Sequence, residues 1–298
     1  LWSLFRFLNP GLLGTQDHFT RVYMSPIERY NDKTASENLQ RIIQPFILRR
    51  LKTEVLTELP PRTEIIHSVP LGKEERALYE AVRQEAMAKF STDDNKKKSN
   101  QIEVLAEITR LRLASCHPKL IMKNSPIESS KLKAFGEIID ELLENDHKTL
   151  VFSQFVKHLT LIREYLDKEG ISYQYLDGST PQTKRKKAVD DFQAGKGDVF
   201  LISLKAGGSG LNLTEADYVI HMDPWWNPAV EDQASDRAHR IGQQRPVTIY
   251  RLVTENTIEE KIIKLHERKR SLANKLLEGS DISGKMTAED MLQLMQNH

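Results

Sequence analysis

At 298 residues, 39% hydrophobic and 29% charged, the chain has the composition of a folded globular protein of about two domains, which excludes a collagen-like or wholly disordered one. No apolar run approaches the roughly 18 residues that span a bilayer, no signal peptide opens the chain, and the single Cys116 excludes an internal disulfide or a multi-cysteine zinc cluster. The net charge of +1 does not announce a nucleic-acid partner, so basic runs such as Arg49-Arg50-Leu51-Lys52, Lys96-Lys97-Lys98 and Lys184-Arg185-Lys186-Lys187 read first as solvated faces.

Leu39-Gln40-Arg41-Ile42-Ile43 is helix-compatible and ends near Pro45. Pro60 and Pro61 make a stiff extended break, and residues 63–69 read as a strand. Ala77, Leu78, Ala81, Val82 and Ala86 recur at helical spacing over 74–90. A polar stretch at 91–100 reads as a loop, and a helix follows over 101–115, stopped before His117-Pro118. Beyond residue 125 strands alternate with helices. The strands are expected at 149–152, 171–176, 199–202, 218–220 and 247–253. Phe155, Leu159, Ile162 and Leu166 mark a helix that Gly170 stops. Thr180-Pro181 reads as a cap and first-turn proline, and its helix carries Ala188, Val189 and Phe192 and ends at Gly195. Asn227-Pro228 opens another helix in the same way. Thr257 and Glu260 have acidic capping-box spacing at the start of a helix over 257–278. Strands separated by helices predict an α/β fold, a parallel sheet covered on both faces, with ligands at the carboxyl ends of its strands.

The loops at those ends carry the chemistry. Ser203-Leu204-Lys205-Ala206-Gly207-Gly208-Ser209-Gly210-Leu211-Asn212 can turn tightly and offer N–H groups to an anion, or can be a plain flexible connection. It is neither a P-loop nor a dinucleotide fingerprint, since Leu213 stands where the third glycine would be. Gln233, Arg237 and Arg240 follow at spacings of 4 and 3, which on a continued helix share one face. Val230, Ala234, Ala238 and Ile241 would then form a buried stripe beside them. The alternative is a set of surface arginines paired with Asp232 and Asp236, for instance Asp236 with Arg240. Trp225 and Trp226 are candidates for the core or for a contact with DNA. Cys116-His117 reads as a packed turn, because no second ligand pair has metal-site spacing.

Taken in order, Val151-Phe152-Ser153-Gln154-Phe155, Asp177-Gly178-Ser179 with Arg185 and Phe192, Leu204 to Leu213, Asp223-Pro224-Trp225-Trp226-Asn227-Pro228 and Gln233-Ala234-Ser235-Asp236-Arg237-Ala238-His239-Arg240-Ile241-Gly242-Gln243 closely resemble the C-terminal lobe of the SWI/SNF family of DNA-translocating ATPases, in helicase superfamily two. Leu1-Trp2-Ser3-Leu4-Phe5, Phe7 to Gly11, Gln44 to Arg50 and Leu59-Pro60-Pro61 resemble the segments that follow the family's first ATPase lobe. The resemblance implies helical protrusions over 1–62, a further protrusion and linker over 63–125, a RecA-like lobe over 126–284 and a C-terminal helical tail over 285–298. The chain opens on leucine and carries no phosphate loop, so the family's first lobe is expected upstream, in the same parent chain.

In such a protein ATP with Mg2+ lies between two lobes, held mainly by the first. The resemblance then gives roles to residues here. Arg237 and Arg240 would be the arginine fingers, because guanidinium stays charged and its fork matches phosphoryl oxygens. Gln233, Gly208, Gly210 and Asn212 would lie on the nucleotide side. Ser153, Gln154, Lys205, Gly207, Ser209 and Trp226, with Arg49 and Arg50 of the protrusions, would face the backbone of double-stranded DNA. That binding would be largely independent of sequence and sensitive to salt. A DNA-bound protein would be the cargo, and the isolated chain would be inactive. The location implied is intracellular: nucleoid or cytoplasm in a bacterium, nucleus in a eukaryote. Two other readings stay open, a non-catalytic RecA-like adaptor and an enzyme that separates strands.

Overall fold

A computed structural model of the chain describes residues 1–30, 32–48, 56, 58–91, 101–206 and 211–277. The described residues fall into two compact units, 1–56 with 264–277, and 58–263. Among them no helix is long and apolar enough to cross a membrane.

The first unit contains α1 (Trp2–Leu8), α2 (Gln16–Phe19), α3 (Ser25–Tyr30) and α4 (Lys33–Ile43), with a π-helical turn at Thr20–Met24 and a 3-10 turn at Gln44–Phe46. The Thr15 hydroxyl accepts from the His18 N–H at 3.2 Å, and an Asp32 carboxylate oxygen accepts from the Ala35 N–H at 3.0 Å, which caps α2 and α4. Phe5, Leu13, Phe19, Ile27, Leu39 and Ile43 bury together as its core. Only α4 has the length to show periodicity in the sequence. The shorter helices carry too few turns for an apolar stripe to declare itself.

The second unit is built on six parallel strands: β1 (Arg62–Val69), β2 (Thr149–Ser153), β3 (Tyr173–Leu176), β4 (Val199–Ser203), β5 (Tyr218–His221) and β6 (Val247–Thr254). Their order across the sheet is β1-β6-β5-β2-β4-β3. β1 pairs with β6 along its whole length, from Arg62 opposite Val247 to Val69 opposite Thr254. The strand expected at 63–69 therefore belongs to the sheet, although the domain division expected from the sequence put residues 63–125 ahead of the RecA-like lobe.

The helices are α5 (Lys73–Ser91), α6 (Gln101–Cys116), α7 (Ser130–Glu144), α8 (Val156–Glu169), α9 (Gln182–Gln193), α10 (Pro228–Ser235) and α11 (Ile258–Leu277), the last reaching beyond this unit. Strand side chains alternate between two cores, as a period of two requires. Leu150, Phe152, Phe200, Ile202 and Val219 pack with Ala188 and Phe192 of α9 and Ala234 of α10. Val151, Val199, Leu201 and Ile220 pack with Phe135, Ile139 and Leu142 of α7 and Leu159, Ile162 and Leu166 of α8. Helices thus cover both faces, as the apolar runs predicted.

Three local expectations need correction. β3 begins at Tyr173 rather than Ile171, because the Ile171 N–H bonds back to the Leu166 carbonyl at 2.9 Å across Gly170, whose φ is +70°. α9 begins at Gln182 without a side-chain cap. The Thr180 hydroxyl is instead spent in the Asp177–Thr180 turn, accepting from the Asp177 N–H at 3.0 Å. The helix opened by Asn227 stops at Ser235, with the Asp236 N–H bonded to the Ala234 and Asp232 carbonyls. Arg237 and Arg240 lie in the turns that follow, so helical spacing does not align them, and Ile241 is exposed instead of closing a buried stripe.

Candidate functional site

The topology opens a crevice at the carboxyl end of the sheet. β2 and β5 are neighbours. The chain leaves β2 toward the β4 and β3 side, and leaves β5 toward β6. Loops that diverge from adjacent strands leave space between them, the usual ligand position in such sheets. The loops after β2, β4 and β5 hold most of the residues singled out from the sequence.

Asp223, at the end of β5, ties two of these loops together. Its carboxylate is buried and accepts from the Ser153 hydroxyl and, at 3.3 Å, from the Gln154 N–H. Arg112 of α6 stands 3.8 Å from the other side. Burial pushes the Asp223 carboxyl up, but His158, Arg112 and the Ser153 hydroxyl outweigh burial and hold it below its ordinary value. Ser153 is fully buried and engaged by Asp223, so it shapes the loop rather than facing a ligand. Gln154 is half-buried beside it, with its amide Nε2 unpartnered among the described residues. Trp226 is half-buried, and Lys205 is exposed in the turn after β4.

A second group gathers around Arg237. Its side chain is 7% exposed and lies over the Phe152 ring, 5.7 Å from the centroid. Its Nη1 is buried without a hydrogen-bond partner among the described residues. Burial first, and then the charge of Arg185, hold its pKa down to about 10. Arg185 of α9 donates to the Ala206 carbonyl at 2.6 Å, at the entrance to the glycine-rich segment. Among the described residues neither guanidinium has a carboxylate within ion-pair distance. The Leu213 N–H donates to the Arg237 carbonyl at 3.0 Å, which brings the exposed Asn212 beside this turn. Gln233 and Arg240 are exposed nearby in the chain.

Among the described residues, Asp232 and Asp236 form ion pairs with other arginines and not with Arg237 or Arg240. Asp236 faces Arg62 at 3.4 Å, and Asp232 faces Arg62 at 3.2 Å and Arg251 at 3.3 Å. The partners are strand arginines of β1 and β6, far away in sequence and near in space. Gly207, Gly208, Ser209 and Gly210, and Arg49 and Arg50, lie outside the described residues.

Several residues organise the site in ways that the sequence did not assign. Gln243 is buried and anchors the Arg237 turn from both ends of its amide. Its Nε2 donates to the carbonyls of Thr214, Ala216 and Ala238 at 3.0, 2.8 and 3.1 Å, and its Oε1 accepts from the N–H groups of Gln244 and Arg245 at 2.8 Å each. Glu231, fully buried, accepts from the Trp225 N–H at 2.6 Å and from Arg251 Nε at 2.8 Å. Arg112 comes from a helix whose sequence looks like ordinary amphipathic surface, and Arg185, though part of the resemblance, had no role assigned to it.

No ion is demanded here. Cys116, His158 and Asp223 bring one ligand atom each within 4.8 Å of one another, from three distant segments whose spacing could not reveal the cluster. Arg112 already stands 3.8 Å from Asp223 as its counter-charge, and burial pushes the Cys116 thiol up, so the carboxylate is balanced without an ion. Asp177 is likewise occupied. It accepts from Ser179, Thr180 and Tyr175, and these bonds overcome burial to hold its carboxyl at about 2.

Comparison with known proteins places this arrangement. Residues 130–242 match the helicase conserved C-terminal domain, and residues 1–120 match the SNF2-related domain. The chain is 36% identical over 298 residues to an uncharacterized ATP-dependent helicase of Mycoplasma pneumoniae, covering 99% of this chain and 28% of that protein. It is 33% identical over 314 residues to the human SWI/SNF-related matrix-associated actin-dependent regulator of chromatin subfamily A member 1, covering 100% of this chain and 30% of that one. The chain thus spans about three-tenths of the length of these relatives. The SWI2/SNF2 ATPase core of Sulfolobus solfataricus, solved in complex with double-stranded DNA, aligns with a TM-score of 0.64 at 32% identity, over 100% of this chain and 61% of that one. The C-terminal domain of that ATPase aligns with a TM-score of 0.63 at 28% identity, over 78% of this chain and 97% of the domain. The chain carries the RecA-like α/β fold of these ATPases and belongs to the SWI/SNF family of helicase superfamily two, whose C-terminal part it matches.

Proposed function

We propose that the chain is the second lobe of an ATP-dependent translocase on double-stranded DNA, which moves or remodels DNA-bound protein inside the cell. The observation that carries this reading is Arg237. A guanidinium that is buried, unpaired and beside a second cation is unfavourable in a resting fold. It is well suited to an anion that arrives with the other lobe. Phosphoryl oxygens match its fork, and such arginines contribute about 10³–10⁵ in rate to related nucleotide hydrolysis.

In this reading Arg237 and Arg240 reach the γ-phosphate of ATP when the lobes close. Gln233, Gly208, Gly210 and Asn212 order that side of the nucleotide. The first lobe, expected in the same polypeptide, holds most of the ATP and its Mg2+, in keeping with the engaged state of Asp177 and Asp223. Gln154, Lys205, Gly207, Ser209 and Trp226, with Arg49 and Arg50, meet the DNA backbone. Ser153 acts through Asp223 and touches no DNA. These contacts carry little sequence information, so binding weakens steeply with salt.

The test is ATP turnover of the full-length protein, with and without duplex DNA, for the natural sequence and for Arg240→Ala. DNA-stimulated turnover that Arg240→Ala abolishes while DNA binding persists upholds the reading. No stimulation by DNA, or a fully active Arg240→Ala, returns the chain to the adaptor reading. A strand-displacement assay on the same protein separates translocation from unwinding.

A further inference from the structure

We propose that Arg112 is a positioning residue that clamps the loop after β2 to the loop after β5, in the arrangement that presents Gln154 and Trp226 at the carboxyl end of the sheet. Arg112 lies on α6 and is 2% exposed. Its guanidinium carbon lies 5.3 Å from the Phe155 ring centroid, 5.6 Å from that of Trp225 and 5.2 Å from that of Trp226. Phe155 belongs to the first loop and the two tryptophans to the second. The same group donates from Nη2 to the Pro224 carbonyl and stands 3.8 Å from Asp223. One planar cation therefore touches both loops, through rings on each and through backbone and carboxylate on the second.

Arginine suits this place for reasons lysine cannot meet. Its plane stacks on aromatic faces, and its separate N–H groups serve a carbonyl and a carboxylate together. Lysine would keep the charge but could not lie flat among three rings. The clamp is also hard to leave half-made, because losing Arg112 strands the buried Asp223 carboxylate without its cation. What then still joins the loops is Asp223 itself, through the Ser153 hydroxyl and the Gln154 N–H. Trp225 keeps its N–H bond to Glu231, while the Trp226 ring loses the group it rests on. The consequence for DNA binding rests on the reading of this face given above.

The experiment uses Trp2→Phe as background, which leaves Trp225 and Trp226 as the two tryptophans of the chain, excited at a wavelength that its tyrosines do not absorb. Acrylamide quenching of their emission and affinity for a short labelled DNA duplex are measured for Arg112→Met and Arg112→Lys. The clamp predicts quenching raised strongly in Arg112→Met and partly in Arg112→Lys. It also predicts duplex affinity lowered about tenfold in Arg112→Met, the scale of one aromatic contact to nucleic acid. A folded Arg112→Met with parental quenching and parental affinity overturns the proposal. Should Arg112→Met fail to fold, Arg112→Lys decides, since parental values for both readouts overturn the clamp and a partial shift supports it. If the unsubstituted chain binds no duplex while quenching still rises in the variants, the clamp stands and the DNA reading of the face falls.

Discussion

Arg237→Met should make the fold more stable while removing its proposed chemistry. Holding the guanidinium charged at a site that lowers its pKa from 12.5 to about 10 costs about 3 kcal/mol at pH 7. The ring of Phe152 returns about 0.5–1 kcal/mol of this through cation–π attraction. Methionine fills similar volume, keeps contact with Phe152 and leaves no carboxylate stranded, because among the described residues Arg237 has none within reach. The expected gain is about 2 kcal/mol, read as a higher urea midpoint at an unchanged slope. The same variant in the full-length protein should lose ATP turnover. Gain of stability with loss of activity is the mark of a group strained for function. A loss of more than about 1 kcal/mol would refute the reasoning, since it would mean that Arg237 is a structural contact and not a cation awaiting an anion.

Further outcomes follow from the same contacts. Gln243→Ala removes an amide that serves five backbone groups and should cost about 3 kcal/mol, seen by denaturation. Proteolysis should then begin in the Arg237–Gln243 turn. Lys131 and Glu259 form a fully buried ion pair at 2.6 Å, so Lys131→Met alone should cost about 3–5 kcal/mol, and adding Glu259→Leu should recover most of that loss in a double-mutant cycle. His117 gives a pH dependence. Burial lowers its pKa from 6.5 to about 4, and its neutral Nδ1 accepts from the Lys119 N–H at 3.1 Å. As pH falls the unfolded chain takes up that proton first, so stability is full above about 6.5 and declines toward 4, by up to about 3 kcal/mol before solvent screening. His117→Asn keeps an acceptor and should flatten that decline in urea midpoints measured from pH 7 to pH 4.

How much of this was legible follows the physics of each signal. The sheet was readable because buried parallel strands are short apolar runs, and Val199 to Ile202 or Leu150 to Phe152 could scarcely be anything else. Asn227-Pro228 was readable because cap chemistry is local, and Asn227 does accept from the Ala229 N–H at 3.1 Å. The end of that helix was not. Nothing between Ser235 and Arg240 breaks a helix by propensity. The turn that replaces it is held by the Gln243 amide, which binds three carbonyls, one of them on the turn itself and two in the segment before β5, a tertiary arrangement invisible in a window of residues. The strand at 63–69 was seen, but its place beside β6 was not, since pairing across the whole chain leaves no local mark. Among the functional candidates, the motif residues on the loops could be named from the sequence. Arg112 could not, because it reads as one more charge on a helix until the fold sets it against Asp223 and three rings. Arg185 was among the residues of the resemblance, but its place beside Arg237 left no local mark.

The central claim is that Arg237 answers charge that develops on a nucleotide as it reacts. The most direct measurement is the affinity of the full-length protein for ADP, with and without fluoroaluminate as a mimic of the transferring phosphoryl group, for the natural sequence and for Arg237→Ala. A group acting in the transition state binds the mimic far more tightly than the ground state. The account predicts that fluoroaluminate tightens ADP binding at least about a hundredfold in the natural protein, and that Arg237→Ala loses most of this gain while binding ADP alone as before. Equal tightening in both proteins would contradict it and leave Arg237 without a part in the reaction.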